Sequence, residues 1–225
     1  MFPWDDAIPS DDLAAFRRPP EFMDAEPIAG DAPALVIVDM TRMFVHSDYP
    51  SGCPGTADAV EANMRLLKVA REQGLPVFFT KAYADLLHEP TLAEQGLWKH
   101  GSLQVEGLPP GDVIIEELAP LPHETIVYKG SKPSALFGTS LMAMLTALKV
   151  DTVVVTGIST SGCVRATALD AFQHNLHVVI PHEATADRSQ ISHKVNLFDL
   201  HMKYASVRST AKVCDYLKSV ERPNA

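Results

Sequence analysis

The sequence predicts an α/β domain of three layers, with helices on both faces of a mostly parallel, doubly wound sheet. Continuous apolar runs of strand length recur, as in ALVIVD (34 to 39), DTVVVTG (151 to 157) and HVVIP (177 to 181). Runs without polar alternation mark strands buried on both faces. Between them lie stretches with helical spacing, and strand alternating with helix at this interval builds a parallel sheet covered on both sides. The 225 residues fit one large domain.

Residues 1 to 32 contain Pro3, Pro9, Pro19, Pro20 and Pro27, which leaves room for no regular element longer than one short helix. The segment reads as an extended, proline-rich arm ahead of a domain at 33 to 225. Its Phe2, Trp4, Phe16 and Phe22 need an apolar surface, either on their own domain or on a neighbouring subunit. The first core strand is ALVIVD. In residues 56 to 73, Val60, Met64, Leu67 and Val69 fall at helical spacing, with Thr56 as a start and Gly74 as a stop. The alternation continues with strands at 75 to 81 and 124 to 129 and a helix at 140 to 149. A strand at 151 to 157, a helix at 162 to 173, a strand at 177 to 181 and a helix at 192 to 204 follow. Residues 82 to 123 carry Pro90, Pro109, Pro110, Pro120 and Pro122 and read as a long irregular connection of the kind that often serves function.

Composition narrows the function classes. Hydrophobic residues make up 46% and charged residues 21%, an ordinary globular balance, and the net charge is −9. Arg17-Arg18 is the only basic doublet, so nucleic acid is not an expected partner. No apolar run reaches the roughly 18 to 20 residues of a membrane span, and the acidic N-terminus is unlike a signal peptide, so the expected location is cytoplasmic. Cys53, Cys163 and Cys214 are odd in number and widely spaced, without a CxxC pair.

In open parallel sheets ligands sit beyond the carboxyl ends of the strands, which nominates Asp39, Lys81, Lys129 and the loop 157 to 163. In TGISTSGCVRATALDA (156 to 171), Cys163 stands where a helix would begin. Backbone N–H groups at a helix start favour a thiolate and supply an oxyanion site. Free cysteine is also among the most buried residue types, and Cys163 alone reads at least as well as a small core residue. Asp39 either caps a loop or stands at the ligand end of the sheet. Lys129 closes IVYK and needs a carboxylate partner or an anionic ligand. His46, His88, His100, His123 and His182 are the available imidazole bases, yet none closes a core strand.

The segments ALVIVDM, VYKGSKPSALFGTSL, DTVVVTGISTSGCVRATALDA and NLFDLHMKYASV resemble the isochorismatase-like cysteine hydrolase superfamily over about residues 33 to 215. GCVRATALDA and EATADR are more similar to its N-carbamoylsarcosine and maleamate amidase branch than to nicotinamidases. The resemblance implies a triad of Asp39, Lys129 and Cys163, with Lys132, past the strand end, as the alternative lysine. It also implies a cis peptide at Ile158–Ser159, an oxyanion site at the turn containing Ile158, Ser159 and Cys163, and a homodimer or homotetramer. The implied activity is release of ammonia from a small primary amide, N-carbamoyl or ureide substrate through a thioester, without a cofactor. Ser159, Thr160 and Ser161 are candidates to meet the substrate or simply form the turn. Arg165 is a candidate for a substrate carboxylate, or pairs with Asp170 or Glu183.

A nicotinamidase-type amidase is the nearest alternative. Asp85 and His88 lack the D-x-H spacing of the metal site in that branch, so no metal is expected. A non-catalytic binding protein on the same fold is a further alternative, which the full triad disfavours. A dinucleotide-binding oxidoreductase would need GxGxxG after a strand, and a serine hydrolase GxSxG where the chain reads Gly157-Ile158-Ser159-Thr160-Ser161.

Overall fold

Each continuous apolar run forms a strand, and the charged or small residue that closes it marks where the chain leaves the sheet. The structure, a computed structural model, describes residues 2–16, 29–81 and 105–220. Phe22, Asp85, His88 and His100 lie outside the described residues. The strands are β1 (Pro33–Val38), β2 (Val77–Lys81), β3 (Thr125–Tyr128), β4 (Thr152–Ile158), β5 (His177–Pro181), β6 (Thr185–Ala186) and β7 (Ser206–Arg208). The helices are α1 (Ser10–Ala15), α2 (Arg42–Val45), α3 (Ala57–Glu72), α4 (Leu141–Ala147), α5 (Arg165–Gln173), α6 (Gln190–Lys203) and α7 (Thr210–Ser219).

Among the described residues the sheet has seven strands in the order β3-β2-β1-β4-β5-β7, with β6 paired to β4, and every pairing is parallel. The order turns back between β1 and β4, so this is a doubly wound sheet whose crevice opens at the carboxyl ends of those two strands. Alternation along β1 divides the core. Leu35 and Ile37 join one apolar cluster with Leu66 of α3 and Leu217 of α7, while Ala34, Val36 and Val38 join a second with Leu141, Ala168 and Leu197 of α4, α5 and α6. Each fully buried Leu, Ile or Val contributes about 1.5–3 kcal/mol relative to exposure, so the two clusters dominate the stability of the layers.

Several local expectations change. Helix α3 starts after Thr56 as the spacing predicts, but the Thr56 hydroxyl donates to Val45 O rather than capping the helix. Met64 stays exposed, because the buried face runs through Ala59, Ala62, Leu66, Leu67 and Ala70. Between residues 105 and 123, Ile115 and Leu118 are buried, the latter in a short 3₁₀ turn, Glu116–Leu118. Within the stretch expected as an arm, α1 forms and Trp4 is only 1% exposed, its ring against Phe2, Phe198 and His201. Residues 2–16 thus pack on their own chain. No helix among the described residues is long and apolar enough to cross a membrane.

Candidate active site

Three strand ends build the site. Asp39 follows β1 with φ 51, a left-handed conformation that Asp tolerates better than most residues and that turns the chain sharply off the sheet. Its backbone N–H bonds back to Thr80 O at 3.2 Å, and the Thr80 hydroxyl donates to Asp39 Oδ1 at 2.7 Å. Lys129 follows β3, where its N–H donates to Lys81 O at 3.3 Å and holds the backbone beside β2. Its ammonium reaches across to Asp39 Oδ2 at 2.8 Å, to Cys163 Sγ at 3.6 Å and to Lys132 O at 2.8 Å. Lys132, the alternative lysine, is itself exposed and supplies only that carbonyl.

Cys163 lies beyond β4 in a π-type turn, Thr160–Val164, where the N–H groups of Gly162 and Val164 both converge on Ser159 O at 3.0 and 3.1 Å. The Ile158–Ser159 peptide is cis. Gly157, with φ 106, sits opposite Val38 in the sheet register, and a Cβ there would collide with the Val38 carbonyl. The glycine therefore lets the ends of β1 and β4, and with them Asp39 and the cysteine turn, approach each other.

The electrostatics follow from burial. Asp39 is 0%, Lys129 6% and Cys163 6% exposed, so the charges interact with little solvent between them. Burial alone would push the Lys129 ammonium down, but the Asp39 charge and the Cys163 sulfur outweigh it and hold the group above its ordinary range. Burial pushes the Cys163 thiol up to about 12, with the Asp39 charge adding to the rise and Lys129 opposing it. The thiol therefore rests protonated at neutral pH. The helix expected to begin at Cys163, α5, begins at Arg165, and the sulfur is enclosed beside a carboxylate.

A family model described as Isochorismatase domain matches residues 33–212. The chain belongs to the isochorismatase family. This isochorismatase-family hydrolase is 32% identical over 195 residues to an N-carbamoylsarcosine amidase of Arthrobacter sp, covering 85% of the chain and 73% of the relative. It is 36% identical over 181 residues to a maleamate amidohydrolase of Pseudomonas putida, covering 79% and 83%. Among solved structures it is similar to an isochorismatase family protein from Desulfovibrio vulgaris, with TM-score 0.74 and 28% identity over 84% of this chain and 99% of that one. The N-carbamoylsarcosine amidase from Thermoplasma acidophilum matches with TM-score 0.65 and 28% identity, over 80% and 96%.

Other candidates fall elsewhere in this family member. Thr160 is fully buried, its hydroxyl within bonding distance of Ala186 O at 3.2 Å and His193 Nδ1 at 2.8 Å. Arg165 turns to α6, donating to Asn196 Oδ1 at 2.7 Å and pairing with Asp199 at 3.4 Å, in place of Asp170 or Glu183. Ser159 and Ser161 are half-buried in the turn. His46 and His123 are exposed, and His182 lies in a 3₁₀ turn, His182–Ala184, with Nδ1 3.6 Å from Glu183. Cys53 and Cys214 are buried in the α3 and α7 side of the core. Among the described residues no cluster of His, Cys, Asp or Glu is placed to hold a metal ion.

Three supporting residues escape a sequence reading. Thr80 orients Asp39 from β2. Thr167 donates to Cys163 O at 2.7 Å and accepts from Ala135 N at 3.0 Å, joining the loop after Lys129 to the cysteine turn. Asp187, 5% exposed, accepts from Ser161 N at 2.7 Å. Polar residues that are buried this far need partners, but only the three-dimensional neighbours reveal which.

Proposed function

We propose that the protein is a cysteine-dependent amidohydrolase that releases ammonia from a small primary amide, N-carbamoyl or ureide substrate through a thioester. The observation that carries this reading is one buried ammonium, Lys129, spanning the Asp39 carboxylate at 2.8 Å and the Cys163 sulfur at 3.6 Å. The amidases among its relatives support the same class of substrate.

Asp39, Lys129 and Cys163 take distinct roles. Burial and the Asp39 charge favour the protonated thiol, so its proton passes to Asp39 as the sulfur attacks. Asp39 Oδ1 accepts from Thr80, and Oδ2, ion-paired with Lys129, is the atom proposed to take the thiol proton. As that proton moves, sulfur bonds to the carbonyl carbon and the carbonyl π electrons move to oxygen. The backbone N–H of Cys163 is proposed to hold the resulting oxyanion, since those of Gly162 and Val164 already donate to Ser159 O. Collapse of the tetrahedral adduct breaks the C–N bond, and Asp39 returns its proton to the departing nitrogen, giving ammonia. Water then attacks the thioester with Asp39 as base, releasing the acid and restoring the thiol. Lys129, ion-paired with Asp39, holds the carboxyl group in place as it takes up and returns the proton. Each step balances without a cofactor. Ser159, half-buried where the turn begins, is the hydroxyl proposed to face the substrate.

The test is ammonia release from N-carbamoylsarcosine, maleamate, biuret and related amides. Turnover that disappears in both Cys163→Ala and Cys163→Ser supports the thioester route; turnover unaffected by either substitution overturns it. The proposal extends to a homodimer or homotetramer in the cytoplasm. Phe137 and Ile191, 62% and 68% exposed, offer apolar surface for association, and three free cysteines suit a reducing compartment. Light scattering on the purified chain decides the assembly.

A further inference from the structure

The cysteine turn is held from outside by residues that the reaction itself does not use. Thr160 Oγ1 lies 3.2 Å from Ala186 O and 2.8 Å from His193 Nδ1, while Ser161 N donates to Asp187 Oδ2 at 2.7 Å. Ala186 ends β6 and His193 lies in α6, so two separate elements grip the residues that lead into Cys163. Thr160 is 0% exposed, so no solvent substitutes for these partners.

A threonine hydroxyl carries one hydrogen and a carbonyl only accepts. If Thr160 donates to Ala186 O, the contact with the ring is satisfied only when His193 Nδ1 carries a hydrogen and donates to Thr160 Oγ1. The opposite assignment leaves the Ala186 carbonyl without that bond. Burial pushes the imidazole below the ordinary histidine range, Asp187 opposes the shift, and His182 and Lys194 add to it. The ring is therefore neutral at neutral pH, and the Nδ1–H tautomer is a definite, measurable state.

We propose that His193 is a positioning residue: as the Nδ1–H tautomer it fixes the Thr160 hydroxyl and, with Asp187, holds the Thr160–Val164 turn in the geometry that Cys163 and its oxyanion site require. The role rests on reading Cys163 as the nucleophile. His193 touches none of Asp39, Lys129 or the sulfur in the hydrogen bonds and ion pairs of the described residues, so its effect on the reaction passes through Thr160.

Two measurements on the full chain test this. Long-range nitrogen NMR on protein labelled in its histidine rings needs no substrate. The expected result is a neutral Nδ1–H ring, assigned to His193 by its loss in His193→Asn and perturbed in Thr160→Val. An Nε2–H ring overturns the proposal. The second measurement is steady-state ammonia release from whichever amide of the panel is turned over. His193→Leu should lower kcat by about ten- to hundredfold, the scale of a displaced reacting group, with KM within about twofold. His193→Asn, whose side-chain N–H takes the place of Nδ1–H, should recover most of the loss, and Thr160→Ser, which keeps the hydroxyl, should lose far less kcat than Thr160→Val. An unchanged kcat in His193→Leu, or a loss that Asn does not recover in an equally stable protein, overturns the positioning role. Full activity in Cys163→Ala would instead strike at the nucleophile, and the NMR result would still decide the hydrogen bond.

Discussion

At the scale of single residues, Asp39, Lys129 and Cys163 form one electrostatic unit in which each group sets the state of the others. Removing the ammonium leaves Asp39 buried without its counter-charge. Lys129→Met should therefore destabilise the fold by about 3–5 kcal/mol, read as a lowered urea midpoint, and abolish turnover. The thiol makes a second prediction through pH. Its folded value of about 12 exceeds the ordinary value of 9.0, so the folded chain binds this proton more tightly than the unfolded chain. The contribution is fully present below about pH 9 and is lost as pH rises toward 12; the raised Lys129 ammonium acts in the same direction over the alkaline range. In Cys163→Ala the alkaline fall in stability should be shallower than in the wild type, and denaturant titrations between pH 8 and 11 measure the difference. The three groups were legible because each closes an apolar run or opens the turn after one, a position that a parallel sheet turns toward its ligand. The protonation state of the sulfur was not, since it depends on how deeply the turn is enclosed. Thr80, Thr167 and Asp187 were hidden for a related reason: threonine and aspartate occur throughout the chain, and only strand order and helix docking show which ones meet the site.

At the scale of elements, the cysteine turn depends on how closely β1 and β4 approach. Gly157→Ala forces a Cβ against the Val38 carbonyl at a positive φ, so it should cost about 3 kcal/mol or more and reduce activity even in the fraction that remains folded. Chemical denaturation together with specific activity per folded molecule checks both halves. Thr167→Val removes the donor to Cys163 O and the acceptor for Ala135 N, and should cost about 1–3 kcal/mol by thermal unfolding. The long strands and the helices α3, α4, α5 and α6 could be read from periodicity because each buries a whole face. The two-residue β6, the three-residue β7 and the four-residue α2 are too short for a period to show. Helix α5 was expected from 162, but the π-type turn occupies residues up to Val164, because the chain there bonds back to Ser159 rather than entering the regular ladder.

At the scale of the molecule, the N-terminal residues belong to the energetics of the core. Trp4 packs against α6 through Phe198 and His201, and Asp6 pairs with Lys194 on the same helix. Trp4→Ala should cost about 3–5 kcal/mol, the range for truncating a buried aromatic, and should appear as a lower unfolding temperature. Within residues 2–16 the chain forms the short helix α1, but where the tryptophan would dock was not readable before α6 had a place.

The strand order has a last consequence, for cooperativity. Asp39, Lys129 and Cys163 follow β1, β3 and β4, and among the described residues the two halves of the sheet meet where β1 pairs with β4. Closing such long stretches of chain costs entropy that local contacts do not return, and the β3-β2-β1 half, which carries Asp39, Thr80 and Lys129, has no complete site without the turn after β4 that carries Cys163. Catalysis thus serves as an all-or-none gauge of the finished fold, and a titration with denaturant should extinguish turnover and far-ultraviolet circular dichroism along one curve.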